Sequence, residues 1–342
     1  MSTASARPSV RIPPLPATNN SGLRVLLAGL LLTMAACKPV APEPATTQAP
    51  LPTVIAHGAP DPVQAVVLPT RLLRGNDYAG FSRASVPAET HAALDAAWRA
   101  GKTRWPLDEL PFDERVPALL EALSATGAEP AMQRAFDRQF AGADRELHSA
   151  AEALGVFGVE YLRTGEGFSS AERAHYTQLV QAAAAWARGA PLGDKARAHA
   201  AVTRMVHAAR GSGLVDADSF ARFGMLDSLQ RVGPVLAAAK ATLLDYGLDL
   251  DASLDAMQVE LVESDGDRAL LRMHYPLGTR MIDARVHAVR VDGRWYLQDF
   301  LEHARAAAAL APADDPPAPA APGSDGEQAE QPPPQEVASA SA

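Results

Sequence analysis

Cysteine is nearly missing from this chain: one in 342 residues, at position 37. A single thiol excludes internal disulfides and multi-thiolate metal sites. Aromatic residues are scarce, at 6%, although hydrophobic residues reach 47%. Much of that fraction is alanine, so the composition points to Ala-rich helices with thin apolar stripes rather than an aromatic core. The N-terminal apolar run, Leu23 to Ala36, is interrupted by Arg24 and Thr33. It falls short of the about 20 residues that a membrane-spanning helix needs. Positive charge is in deficit: 31 Lys and Arg against 40 Asp and Glu leave a net −9. That balance argues against nucleic-acid binding, which needs a basic surface.

Familiar catalytic patterns are missing too. There is no His-Glu-x-x-His and no Gly-x-Ser-x-Gly. The stretch RGSGLVDAD at 210–218 is Gly-rich but lacks the lysine and strand–helix setting of a phosphate loop. His199 and His207 share a helix face but are two turns apart, too far to chelate one ion alone. His274 and His287 fall on strands expected to pair, on a face expected to be solvated. No metal and no cofactor is expected.

What is present begins at the lone cysteine. The run before Cys37 has the length of a signal-peptide apolar region. Arg7, Arg11 and Arg24 precede or open it without an acidic residue, and Ala35 and Ala36 stand just before the cysteine. The segment TMAAC resembles the lipobox of bacterial lipoproteins, with Met34 where that family usually has Leu. The resemblance implies that residues 1–36 are a signal peptide and that Cys37 becomes an acylated N-terminus whose partner is a lipid bilayer. Lys38 follows the cysteine. In Gram-negative lipoproteins an Asp there resembles an inner-membrane retention signal, so the resemblance implies the periplasmic face of the outer membrane.

Composition divides the rest. Residues 37–84 open with Pro39, Pro42, Pro44, Pro50, Pro52, Pro60, Pro62 and Pro69. Residues 37–84 read as a Pro-rich tether, whose stretch 38–69 forms neither helix nor sheet. Residues 309–342 are acidic and rich in Pro and Ala, the composition of a disordered tail. Between them, residues 85–228 carry helical periodicity. Leu94 and Trp98 sit four apart, and Ser169 with Glu172 forms a capping-box pattern. The segment ADRELHSAAEALGVFGVEYLRTG stripes as Leu147, Ala151, Leu154 and then either Phe157 or Gly158. A short and a longer helix are expected over 216–247, perturbed near Gly233-Pro234.

From residue 256 the period falls to two. Four strands are expected, at MQVELVES, RALLRMHY, RMIDARVHAVRV and RWYLQDF, with turn signals at 265–267 and Asp292-Gly293. A face shift in the third strand suggests a bulge. The fold class is therefore mainly α with a C-terminal α+β part: a helical bundle, then a four-stranded antiparallel meander in a module spanning 229–308. That module is similar to the nuclear transport factor 2-like, or cystatin-like, type through the phrase VRVDGRWYLQDF. The resemblance implies a curved sheet and a pocket, with no inherited catalytic residues.

Two site expectations follow. A small apolar ligand would lie against Met273, Tyr275, Trp295 and Leu297 in the sheet's concave face. Carboxylates at Asp108, Glu109, Asp113 and Glu114 could do acid–base work, although a helix N-terminus favours acids without catalysis. Trp105, in the same Pro-flanked segment, is expected in the core. The functional expectation is a non-enzymatic envelope protein that binds or scaffolds an envelope protein partner or a small apolar ligand. The alternative is an envelope enzyme acting on cell-wall glycan through Asp108–Glu114.

Overall fold

The computed structural model describes residues 56–109, 116–165 and 167–311. The expected signal peptide, Cys37, the first part of the tether, Asp113, Glu114 and the tail from 312 onward lie outside the described residues. The fold class is as the sequence pattern implies: helices, then an antiparallel sheet.

The helices are α1 (Gln64–Arg74), α2 (Tyr78–Ser85), α3 (Ala88–Arg99), α4 (Val116–Ser124), α5 (Ala128–Gln139), α6 (Asp144–Thr164), α7 (Ser170–Ala187), α8 (Lys195–Ser212), α9 (Ala217–Asp245) and α10 (Leu250–Asp255). A 3-10 turn, Leu107–Glu109, lies between α3 and α4. Strands β1 (Gln258–Asp265), β2 (Arg268–Leu277), β3 (Arg280–Val291) and β4 (Arg294–Leu297) pair in chain order, and α11 (Gln298–Ala308) follows.

Local chemistry accounts for many boundaries. At α7 the Ser169 hydroxyl accepts from the Glu172 amide at 3.1 Å, and the Ser169 amide donates to the Glu172 carboxylate at 2.9 Å. This is the reciprocal cap that the pattern implied. The Asp194, Asp216 and Asp249 carboxylates cap α8, α9 and α10 in one direction, accepting from the amides of Arg197, Ser219 and Ala252. At the β3–β4 turn Asp292 and Gly293 both take left-handed φ, +51° and +75°. That pair of values suits a tight two-residue hairpin.

Four expectations need correction. Residues 64–74 and 78–84, within the segment 37–84 expected to be a tether, form α1 and nearly all of α2, with Pro69 inside α1. The proline lacks one helical N–H, but Ala65 and Val66 on that helix pack against Leu271, Met273 and Ala284 of the sheet. That burial outweighs the weak local preference. The break in α9 falls at Gly224 (φ 73°, ψ −180°) instead of Gly233-Pro234. There the Met225 amide donates to the Asp95 carboxylate at 2.8 Å, which replaces its lost helical partner. The bulge lies on β1, between Leu261 and Glu263, while β2 and β3 pair without a shift. The face change along β3 has another cause. Ile282 and Ala284 pack on one side of the sheet, whereas Val289 and Val291 pack on the other, against the helical core. Finally, QDF belongs to α11, whose Leu301, Ala304 and Ala308 are buried at helical spacing.

The main core joins both halves of the chain. Leu94, Trp98, Phe220 and Leu229 share it with Tyr296 and Leu301. The Trp98 indole N–H donates to the Phe220 carbonyl at 2.9 Å. The expected division at 228/229 falls inside α9. Trp105 is fully buried in this core.

The α6–α7 pair turns on two glycines. A Cβ at Gly155 would lie 2.7 Å from the Ala184 Cβ, and one at Gly158 would lie 3.0 Å from a Val180 methyl. The two helices thus approach more closely than larger residues would permit, and Gly158 faces inward. Phe157 faces solvent, at 70% exposure. The glycines cost some helix propensity, and the close packing offsets it. On its other side α7 covers β3, where β4 is too short to pair. The Gln178 side chain donates to the Asp283 carbonyl at 2.7 Å and accepts from the Asp283 amide at 2.9 Å. These bonds satisfy part of a strand edge that would otherwise lie open.

Candidate functional site

The residues expected to line a ligand pocket are packed into two different places. Met273 and Trp295 are buried, with Leu297 beside them, in the cluster between the sheet and α1. Tyr275 belongs to a second cluster, with Trp186, Leu243 and Ile282. Its hydroxyl is 2.7 Å from His175 Nε2. The α1 helix, assigned in the sequence to the tether, fills the space in front of Met273 and Trp295.

An open site lies next to the second cluster. A cleft of ≈ 680 Å³ runs between the end of α7, the α9–α10 connection and the β2–β3 turn. Trp186 and Tyr246 supply its aromatic walls, and Gly247, Gly278, Ala252 and Ala256 keep it wide. The Trp186 indole N–H is used internally, donating to the Tyr246 carbonyl at 3.0 Å. The Asp249 carboxylate caps α10 by accepting from the Ala252 amide at 2.9 Å. Burial pushes the Tyr246 phenol up to about 12, with Asp194 adding to the shift. It therefore stays a neutral donor across the physiological range. Among the described residues no lysine, arginine or histidine lines the cleft. Its chemistry suits a neutral or cationic ligand with a flat apolar face, and it disfavours an anion. In the sequence Trp186 falls on a helical stripe with Tyr176, Leu179, Val180 and Ala183, which does not mark it as a cleft wall. The remaining signal, glycines at two chain turns, does not distinguish a cleft wall from an ordinary turn.

The second assembly contains one of the carboxylates singled out in the sequence. Glu109, at the end of the 3-10 turn, accepts from or shares a proton with His303 Nδ1 at 3.0 Å. On the other side of the same ring, Nε2 lies 3.7 Å from Glu172. Asp299 accepts from the Ser169 hydroxyl at 3.0 Å, and the Tyr176 hydroxyl faces Glu172. Burial lifts the Glu109 carboxyl above its usual range, against the pull of His303. Burial disfavours the charged His303 ring, but Glu109, Glu172 and Asp299 outweigh it and raise its pKa. Both shifts run in the same direction and favour the protonated forms of the pair. Asp108 plays a different part. It accepts from the Thr103 hydroxyl and the Arg104 amide at 2.5 and 2.6 Å, which fixes the turn.

Among the other histidines, the rings of His57 and His91 meet edge to face, with centroids 5.4 Å apart. His199 Nε2 bonds Asp137 at 2.8 Å, and His274 Nε2 bonds Gln258 at 3.0 Å. On the sheet His274 pairs with Asp283, and His287 with Leu270. Among the described residues no three His, Cys, Asp or Glu side chains are grouped to hold a metal ion, and no helix is long and apolar enough to cross a membrane.

No family model matches this chain, and neither a curated protein nor a solved structure matches it significantly.

Proposed function

We propose that this protein is a lipid-anchored envelope protein with a binding or scaffolding role. The lipobox-like TMAAC segment supports the anchor at Cys37 and the periplasmic face of the outer membrane. The observation that carries the binding role is the ≈ 680 Å³ cleft beside Trp186 and Tyr246. Its size and mixed aromatic and small-residue walls suit a small ligand or one inserted segment of an envelope protein.

The test is in-cell crosslinking and purification of the full-length protein beside Cys37→Ser and Ala252→Trp variants. Ala252 is exposed at the cleft, so an indole there blocks the opening without disturbing the core. The expected result is a bound species that the parent protein retains and Ala252→Trp loses. Retention of the same species by Ala252→Trp would remove the cleft from the reading. Loss of membrane association in Cys37→Ser is the separate outcome that supports the anchor.

A second reading is an enzyme acting on cell-wall glycan, and the partly buried Glu109 favours it. Against it, the His303 ring stands between Glu109 and Glu172. Glycoside hydrolysis instead needs the space between two carboxylates for the scissile bond. On the binding reading, Glu109→Gln leaves glycan turnover by cells unchanged. A loss of wall-degrading activity in that variant, with its melting temperature intact, would reverse the preference.

A further inference from the structure

The cleft does not account for the outer face of α6. Val156 is 71% exposed, Phe157 70% and Tyr161 66%. With Ala153, also exposed, they recur at three- and four-residue spacing along one side of the helix. The opposite side is already used, because Gly155 and Gly158 are pressed on α7 and Ala151 and Leu162 are buried. This helix is apolar on both sides. Phe168 meets Tyr161 edge to face at one end of the outer side, and Val156 and Phe157 stay exposed.

We infer that this face of α6 lies on the surface of the lipid bilayer that holds the protein. The inference rests on the anchored reading above. Three observations favour a bilayer over a second copy of the chain. The first is area. Exposed to this degree, the two aromatic side chains and one valine present roughly 300–400 Å², taking ~150–250 Å² for a whole aromatic side chain. A stable protein–protein interface buries ~800 Å² on each partner. The stripe is thus too small to hold a dimer, but it is sufficient to orient a body already tethered to lipid, since two membrane contacts reinforce each other. The second is charge. The acids beside the stripe are paired, Glu160 with Arg163 at 2.5 Å and Glu152 with Arg188 at 3.7 Å. Headgroups therefore meet little unbalanced charge. The third is reach. Residues 38–55 separate Cys37 from the first described residue. At ~3.3–3.6 Å per residue they span at most about 70 Å. The body cannot leave the neighbourhood of the membrane, so even a weak surface contact is repeatedly sampled. Tyrosine, as at 161, is enriched at the membrane–water boundary, and phenylalanine, as at 157, is common on the buried face of interfacial helices.

The test replaces Phe157 by Trp in the full-length, acylated protein. The chain's own four tryptophans are at positions 98, 105, 186 and 295, all buried, so an added exposed indole reports on the stripe. The protein is reconstituted in vesicles of phosphatidylethanolamine and phosphatidylglycerol, with and without brominated acyl chains, and flotation is scored separately. The expected result is a blue-shifted emission that brominated chains quench. Bromines placed shallow should quench most, because a helix lying in the interface sits only ~5–10 Å into the acyl boundary. If the protein floats with vesicles but its emission stays that of an indole in water, the α6 contact is overturned and the lipid anchor stands. If the emission shifts without quenching and the protein sediments as a dimer, a second copy covers the stripe and the bilayer assignment is overturned. A chain that fails to float at all overturns the anchor and the α6 contact together.

Discussion

Replacing Lys240 by methionine should cost about 3 kcal/mol of folding stability. The ammonium is buried on α9, where it donates to the Leu73 carbonyl at 3.0 Å, the Arg74 carbonyl at 3.3 Å and the Asp251 carboxylate at 2.8 Å. Three donors thus meet three acceptors from α1 and α10. Methionine keeps the length and apolar bulk of the stem, so little cavity forms. What is lost is the charge that compensates Asp251 and the cap on the last carbonyls of α1. Arg74 still pairs with Asp251 at 3.0 Å, which holds the loss at the low end of the ~3–5 kcal/mol seen when one partner of a buried pair is removed. Urea denaturation of the two proteins checks the value. Adding Asp251→Leu to Lys240→Met should recover much of it, because the carboxylate that lost its buried counter-charge goes, while Arg74 keeps Asp255 at 3.0 Å. A loss below about 1 kcal/mol would mean that the pair is already solvated, as exposed pairs are.

The second large effect is a loss of stability in acid. Burial lowers His91 to about 4, with His57 and Arg83 adding to the shift. Burial alone lowers His175 to about 4. In both cases the geometry supports a neutral ring: His91 Nε2 is 3.2 Å from the Ser82 hydroxyl, which itself donates to the Ala79 carbonyl at 2.8 Å, and His175 meets the Tyr275 hydroxyl. Unfolding exposes two rings that titrate near 6.5. Between that value and about 4 the unfolded chain binds more protons than the folded one. Stability is therefore fully present above pH 6.5 and falls as pH falls. Each proton taken up contributes a slope of about 1.4 kcal/mol per pH unit, so two give at most ~2.7 near pH 5. The Glu109–His303 pair works in the opposite direction. Both groups are raised in the folded state, so their contribution is present at low pH and declines as pH rises through their folded values. The net slope is accordingly smaller than the two rings alone would give. Urea midpoints at pH 7, 5.5 and 4.5 measure it, and His175→Gln should flatten the decline by about half. A midpoint that does not move between pH 7 and 4.5 would overturn the neutral assignment of both rings.

Much of the local structure can be read without coordinates, because it depends on neighbours in the chain. Ser169 and Glu172 are three residues apart, so their cap is set by helix geometry alone. Asp292 and Gly293 adopt the left-handed turn that their types favour. Along β2, Ala269, Leu271, Met273 and Tyr275 alternate into the core as their spacing implies. The mainly α architecture with a C-terminal sheet follows from adding up such short-range preferences. Tertiary structure decided which faces meet. Periodicity left Phe157 and Gly158 as equal candidates for the inner side of α6, and only the approach of Ala184 and Val180 on α7 turns the glycines inward and the phenylalanine out. Residues 64–69, read as tether, became helix because the sheet offered α1 an apolar surface. That surface also fills the ground in front of Met273 and Trp295 where a pocket was expected. His303 joins Glu109 across 194 positions of sequence, and Lys240 joins Leu73 across 167. Neither pairing leaves a trace in spacing or composition, because the energy of a buried charge depends on what the folded chain brings next to it, not on its neighbours in the sequence.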